Sequence, residues 1–78
     1  MTYKQTLSKI NGMVRLAISQ FPEMPSFDHS FWKGYCYAIE DANGWGRNDL
    51  WAPVRETAVA YCDKLRGNKP VMGVASIK

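Results

Sequence analysis

The sequence predicts an all-α fold: a small three-helix bundle followed by a short extended C-terminal tail. Three observations carry that prediction. Apolar residues recur every three or four positions in three separate stretches. Breakers stand between and after them: Pro22 with Pro25, Asn43 with Gly44, and Gly67 with Asn68. The chain has 78 residues, which is one domain, and its 46% apolar content is too high for a disordered chain.

The first helix is expected over about residues 3–20. Tyr3, Leu7, Ile10, Val14, Ala17 and Phe21 form its stripe, with Met13 and Ile18 flanking. Thr2 is placed to cap it, because a hydroxyl there satisfies a free backbone N–H. Gly12 costs about 1 kcal/mol relative to alanine, which points to a neighbouring helix crossing closely. Pro22 and Pro25 disfavour helical geometry in the residues before them, so 21–25 reads as an extended linker.

The second helix is expected over about 27–42, capped by Ser26 or Asp28. Phe27, Phe31, Tyr35, Ala38, Ile39 and Ala42 read as its core face, with Trp32 and Cys36 as a second apolar flank. Gly34 is a second candidate for close approach. Asn43-Gly44 is a strong stop, since both residues tolerate left-handed geometry.

The third helix is expected over about 50–66, from the spacing of Leu50, Trp51, Val54, Ala58, Tyr61 and Leu65, with Asn48 or Asp49 as its cap. Pro53 fits the first helical turn and not the second. Either a short turn at 49–52 precedes the helix, or the proline sits late in the first turn. The expected tail, 70–78, either docks on the bundle through Val71, Val74 and Ile77 or is a frayed end.

Several chemistries are not expected. The single histidine and two distant cysteines leave no metal motif. On a helix, His29 and Cys36 stand roughly 10.5 Å apart, too far to share an ion. Asp28-His29-Ser30 holds the letters of a triad, but adjacent helical residues point apart. Neither Cys36 nor Cys62 has an activating partner in the sequence, so both read as free, buried thiols. Phosphate-binding glycine loops are absent. No enzyme activity, cofactor or metal is therefore expected. Lys4, Lys9 and Arg15 interrupt any export-type apolar stretch, no segment is apolar enough to span a bilayer, and the expected compartment is the cytoplasm.

The aromatics point to a function. Eight of ten lie between Phe21 and Trp51, more than a core of this size absorbs. Trp45 stands between Gly44 and Gly46, either as a lid on the core or as an anchor for a partner, with Arg47 beside it. The expected contact surface is the 43–51 loop with Trp45, Arg47 and Trp51. It continues on the second helix with Trp32, Lys33 and Tyr37, and with Glu40 and Asp41 as solvated carboxylates open to a basic group. The expected function is a non-catalytic protein-interaction module, a stoichiometric regulator or inhibitor. In general character the chain is similar to the small host-directed proteins that bacteriophages encode.

Two alternatives remain. The net charge of +3 admits nucleic acid, through Lys4, Lys9, Arg15, Lys64, Arg66 and Lys69, if folding unites the two basic ends. Against it, the third helix mixes Glu56 and Asp63 with its basic residues and lacks a run that reads base edges. The other alternative is a homodimer, because an uncovered aromatic face can pair with itself.

Overall fold

The computed structural model describes residues 1–67. Lys69 and the expected tail at 70–78 lie outside the described residues. Among the described residues, three helices make up the fold: α1 (Tyr3–Ser19), α2 (His29–Asn43) and α3 (Trp51–Leu65). Each begins and ends within two residues of the sequence expectation.

Local chemistry explains most of these boundaries. Thr2 caps α1 by accepting the Gln5 amide, while the Gln5 side chain accepts the Thr2 amide in return. Asp28, not Ser26, caps α2 by accepting the Phe31 amide at 3.0 Å. Gly44 ends α2 in the left-handed region at φ 71°, where glycine is unstrained. The Gly44 amide then donates to the Asp41 carbonyl and the Trp45 amide to the Glu40 carbonyl, closing the last turn.

Helix α3 is central. α1 and α2 each lie close to it, while the backbones of α1 and α2 stay apart. Tyr3 meets Asp49 at the start of α3, and Ser19 meets Tyr61 near its end, so α1 and α3 run in the same direction. The core between them holds Ile10, Val14 and Ile18 of α1, Trp32 and Cys36 of α2, and Leu50, Trp51, Val54, Ala58 and Cys62 around α3. Full burial of an aliphatic side chain such as Leu50 or Val54 contributes about 1.5–3 kcal/mol. Phe27 stacks on Trp51 with ring centres 5.8 Å apart and closes the side near the linker.

Two expected core faces are corrected. On α1 the inward line is Thr6, Ile10, Val14 and Ile18, whereas Ala17 and Phe21 are exposed. Steps of four keep one line facing α3, and α1 stops at Ser19 before Phe21 can join it. On α2 the inward line is Trp32, Cys36 and Glu40. Phe31, Tyr35, Ala38 and Ala42, read from the sequence as core, face outward instead. The two apolar sides of α2 are close to equivalent in sequence, and what α3 requires at its start selects between them. Gly12 and Gly34 are not crossing points within the chain, since a Cβ at either would meet nothing within 4 Å.

Candidate interaction surface

The loop between α2 and α3 is organised by a buried carboxylate. Glu40 is fully buried, and its Oε2 accepts the amides of Leu50 and Trp51 at 2.9 Å each. Its Oε1 accepts the amide of Asn48 at 3.1 Å. These donors belong to the start of α3, whose N-cap residue, Leu50, offers no capping side chain. Glu40 therefore caps α3 from another helix, and negative charge suits a helix N-terminus. The expectation of a solvated Glu40 open to a partner is corrected. So is the expected cap: the Asp49 carboxylate accepts the Gly46 amide instead, and the Asn48 carboxamide oxygen accepts the Tyr37 hydroxyl.

Pro53 is the third residue of α3, late in its first turn. It has no N–H to offer the Asp49 carbonyl, one turn earlier. The Tyr3 hydroxyl donates to that carbonyl at 2.6 Å. α1 thus satisfies a group that the proline leaves free, and Tyr3 also meets the Trp45 ring edge-on at 5.2 Å. Trp45 is half-buried and packs against the core, so it folds back rather than standing out.

Among the other expected contact residues, Trp51 and Trp32 are corrected: they are 6% and 9% exposed and belong to the core. Their large rings supply the apolar area that a short chain needs for a core. Lys33, Tyr37 and Asp41 do line one edge of α2, at helical spacing. The Arg47 guanidinium lies over the Tyr37 ring at 4.3 Å and reaches Asp41 at 3.4 Å. The Lys33 ammonium lies 5.7 Å from the same ring. At such exposed positions each contact is worth about 1 kcal/mol or less. The loop is therefore a braced structure, joined to α2 by Tyr37, Arg47 and Glu40.

The exposed aromatics are on the other side of α2. Phe31 is 58% exposed and Tyr35 37%. Their rings stack at 6.3 Å and 10°, and the Trp32 ring meets both edge-on, at 5.0 and 5.5 Å. A core tryptophan thus supports two surface rings. With Gly34, Ala38 and Ala42 they form a stripe without charged side chains, over roughly a third of the helix circumference. Sequence reasoning placed this stripe in the core; its apolar spacing was the signal that could have found it.

Among the described residues, Lys4 does not meet Lys64 and Arg66. Lys4 lies at the start of α1 and Lys64 and Arg66 at the end of α3. Because the two helices run in the same direction, they stand about 20 Å apart along the axis. Arg66 donates to the Pro25 carbonyl and to Asp63. On α1, Lys4, Ser8, Asn11 and Arg15 share one side and line an open depression of about 400 Å³, with Lys9 apart from them.

Cys36 and Cys62 are free and buried. Burial first, and then the negative charge of Glu40, pushes the Cys36 thiol up to about 11. Burial also raises Cys62, partly offset by Arg66. Among the described residues no group of three or more His, Cys, Asp or Glu is arranged to hold a metal ion. No helix among them is long and apolar enough to cross a membrane. The chain matches no protein-family model, no curated protein and no solved structure.

Proposed function

We propose that this chain is a non-catalytic protein-interaction module that acts as a stoichiometric regulator of a larger protein. The carrying observation is the outward aromatic pair Phe31–Tyr35, held by Trp32 on an uncharged stripe of α2. Exposed apolar side chains collected on one helix face are the signature of helix-to-groove or helix-to-helix recognition. Rings already fixed by an internal neighbour lose little freedom on binding, which favours affinity. The raised, buried thiols support a role without nucleophilic chemistry.

The test is affinity capture from the native lysate, with and without nuclease, for the native chain and for Phe31→Glu. Phe31 is exposed, so the variant is expected to keep its helical circular dichroism. The expected result is a protein recovered in stoichiometric amounts, indifferent to nuclease and reduced at least tenfold by the substitution. Equal recovery by both chains would remove α2 from the reading.

A second reading is nucleic-acid binding through α1. It is favoured by one observation: α1 carries Lys4, Lys9 and Arg15 and no acidic residue. Two phosphate contacts, from Lys4 and Arg15 on one side of α1, would give binding that weakens with a log–log salt slope near −1.8 on duplex DNA. Binding that is absent at low salt would end this reading.

A further inference from the structure

We propose that Tyr3, Trp45 and Asp49 form a binding site for an alkylammonium group, the cationic end shared by a lysine side chain and a small quaternary amine. The three residues line one open depression of about 360 Å³. The Tyr3 and Trp45 rings stand nearly perpendicular, at 78°, with centres 5.2 Å apart. An aromatic face carries negative charge density and attracts a cation. Asp49 adds a carboxylate beside the two rings. Such walls favour an ammonium over a neutral group of the same shape, because only the cation gains from all three. None of the three residues belongs to the α2 stripe, so the site stands independently of the interaction reading.

The walls are held by the fold itself. The Tyr3 hydroxyl donates to the Asp49 carbonyl at 2.6 Å, tying the first ring to the loop. Trp45 packs half-buried against the core, and its amide donates to the Glu40 carbonyl at 2.9 Å. The Asp49 Oδ2 accepts the Gly46 amide at 2.9 Å. A Cβ at Gly46 would come within 3.0 Å of that oxygen, so glycine gives the carboxylate room to lie against the loop. Groups already fixed in this way lose little freedom on binding.

The same combination of ring and carboxylate occurs at Tyr37 and Asp41, and there the chain fills it with its own cation. The Arg47 guanidinium lies 4.3 Å from the Tyr37 ring centre and 3.4 Å from Asp41. At Tyr3, Trp45 and Asp49, no basic side chain among the described residues lies over either ring or pairs with the carboxylate. Lys4, next to Tyr3 in sequence, lines the other depression on α1. One ring-and-carboxylate site is thus satisfied internally, and the other is open to a ligand. Contacts this exposed each strengthen binding only a few-fold, so the Kd for a single ammonium is on the order of 10 mM.

The experiment is a nuclear magnetic resonance titration of the full chain at constant ionic strength, held with sodium chloride. The probes are choline, its neutral isostere with carbon in place of the nitrogen, and Nα-acetyl-lysine methylamide. The expected result is saturable movement of the Trp45 indole N–H and the Gly46 and Asp49 amides, with choline binding at least about threefold more tightly than the isostere. Tighter binding of choline than of the lysine derivative assigns the site to a free amine, and the reverse assigns it to a partner's lysine. Asp49→Asn keeps an acceptor for the Gly46 amide, and Trp45→Leu keeps an apolar side chain against the core. Each is expected to weaken choline binding at least about threefold, with the spectrum elsewhere native. Movement that never saturates overturns the proposal. Equal binding of choline and isostere does so as well, by showing an apolar hollow only, and that comparison needs no variant to fold. Binding undiminished in either variant also overturns it.

Discussion

The carboxylate of Glu40, near the end of α2, accepts the amide of Trp51, the first residue of α3, at 2.9 Å. With the bonds to Leu50 and Asn48, it accounts for three backbone donors at the α2–α3 junction. Three further donors there are also satisfied: Asp49 by the Gly46 carbonyl, Ala52 by that of Asn48 and Val54 by that of Leu50. A single side chain thus joins two helices and defines where the second begins.

Removing that side chain is expected to be costly. A buried donor left unpaired costs about 1–3 kcal/mol, and the whole chain is stabilised by about 4–12 kcal/mol. Glu40→Ala should therefore lose at least about 3 kcal/mol in a urea titration. Glu40→Gln keeps one acceptor oxygen and should lose less. Wild-type stability in Glu40→Ala would mean that water serves these amides equally well.

Tyr3 and Pro53 should be energetically coupled although they belong to different helices. Tyr3→Phe removes the bond to the Asp49 carbonyl, at a cost of about 0.5–1.5 kcal/mol. Pro53→Ala restores an N–H that can serve the same carbonyl, so Tyr3→Phe should cost less in that background. A double-mutant cycle is expected to show coupling of about 0.5 kcal/mol or more. Strict additivity would refute this account of the proline.

The Cys36 thiol predicts an alkaline limit to stability. Its value in the folded chain is about 11, against an ordinary 9.0. Between these values the folded chain keeps a proton that the unfolded chain releases. Its contribution is full below about pH 9 and is lost as pH rises through about 11. A difference of this size is worth about 2–3 kcal/mol. The urea midpoint should fall over that window, and Cys36→Ala should flatten the fall. Both thiols should also resist a thiol reagent near pH 8 until denaturant is added. Rapid native labelling of Cys36 would contradict its burial.

The sequence by itself determined the three helices, the Thr2 cap, the stop at Gly44 and the third helix's inward residues Val54 and Ala58. These are local matters: a hydroxyl or carboxylate beside a free amide, a glycine in left-handed geometry, one unambiguous apolar line. It also showed that the chain holds more aromatics than its core absorbs. Only the tertiary structure decided which aromatics those are. α2 carries apolar residues on two sides, and periodicity does not distinguish Trp32 with Cys36 from Phe31 with Tyr35. The choice falls to Glu40, which looks like a surface residue in isolation. Its burial is set by the unpaired amides of α3, ten residues further along the chain. Because Glu40 must turn inward to meet them, Trp32 and Cys36 turn inward with it on the same helical line, and Phe31 and Tyr35 are left facing out.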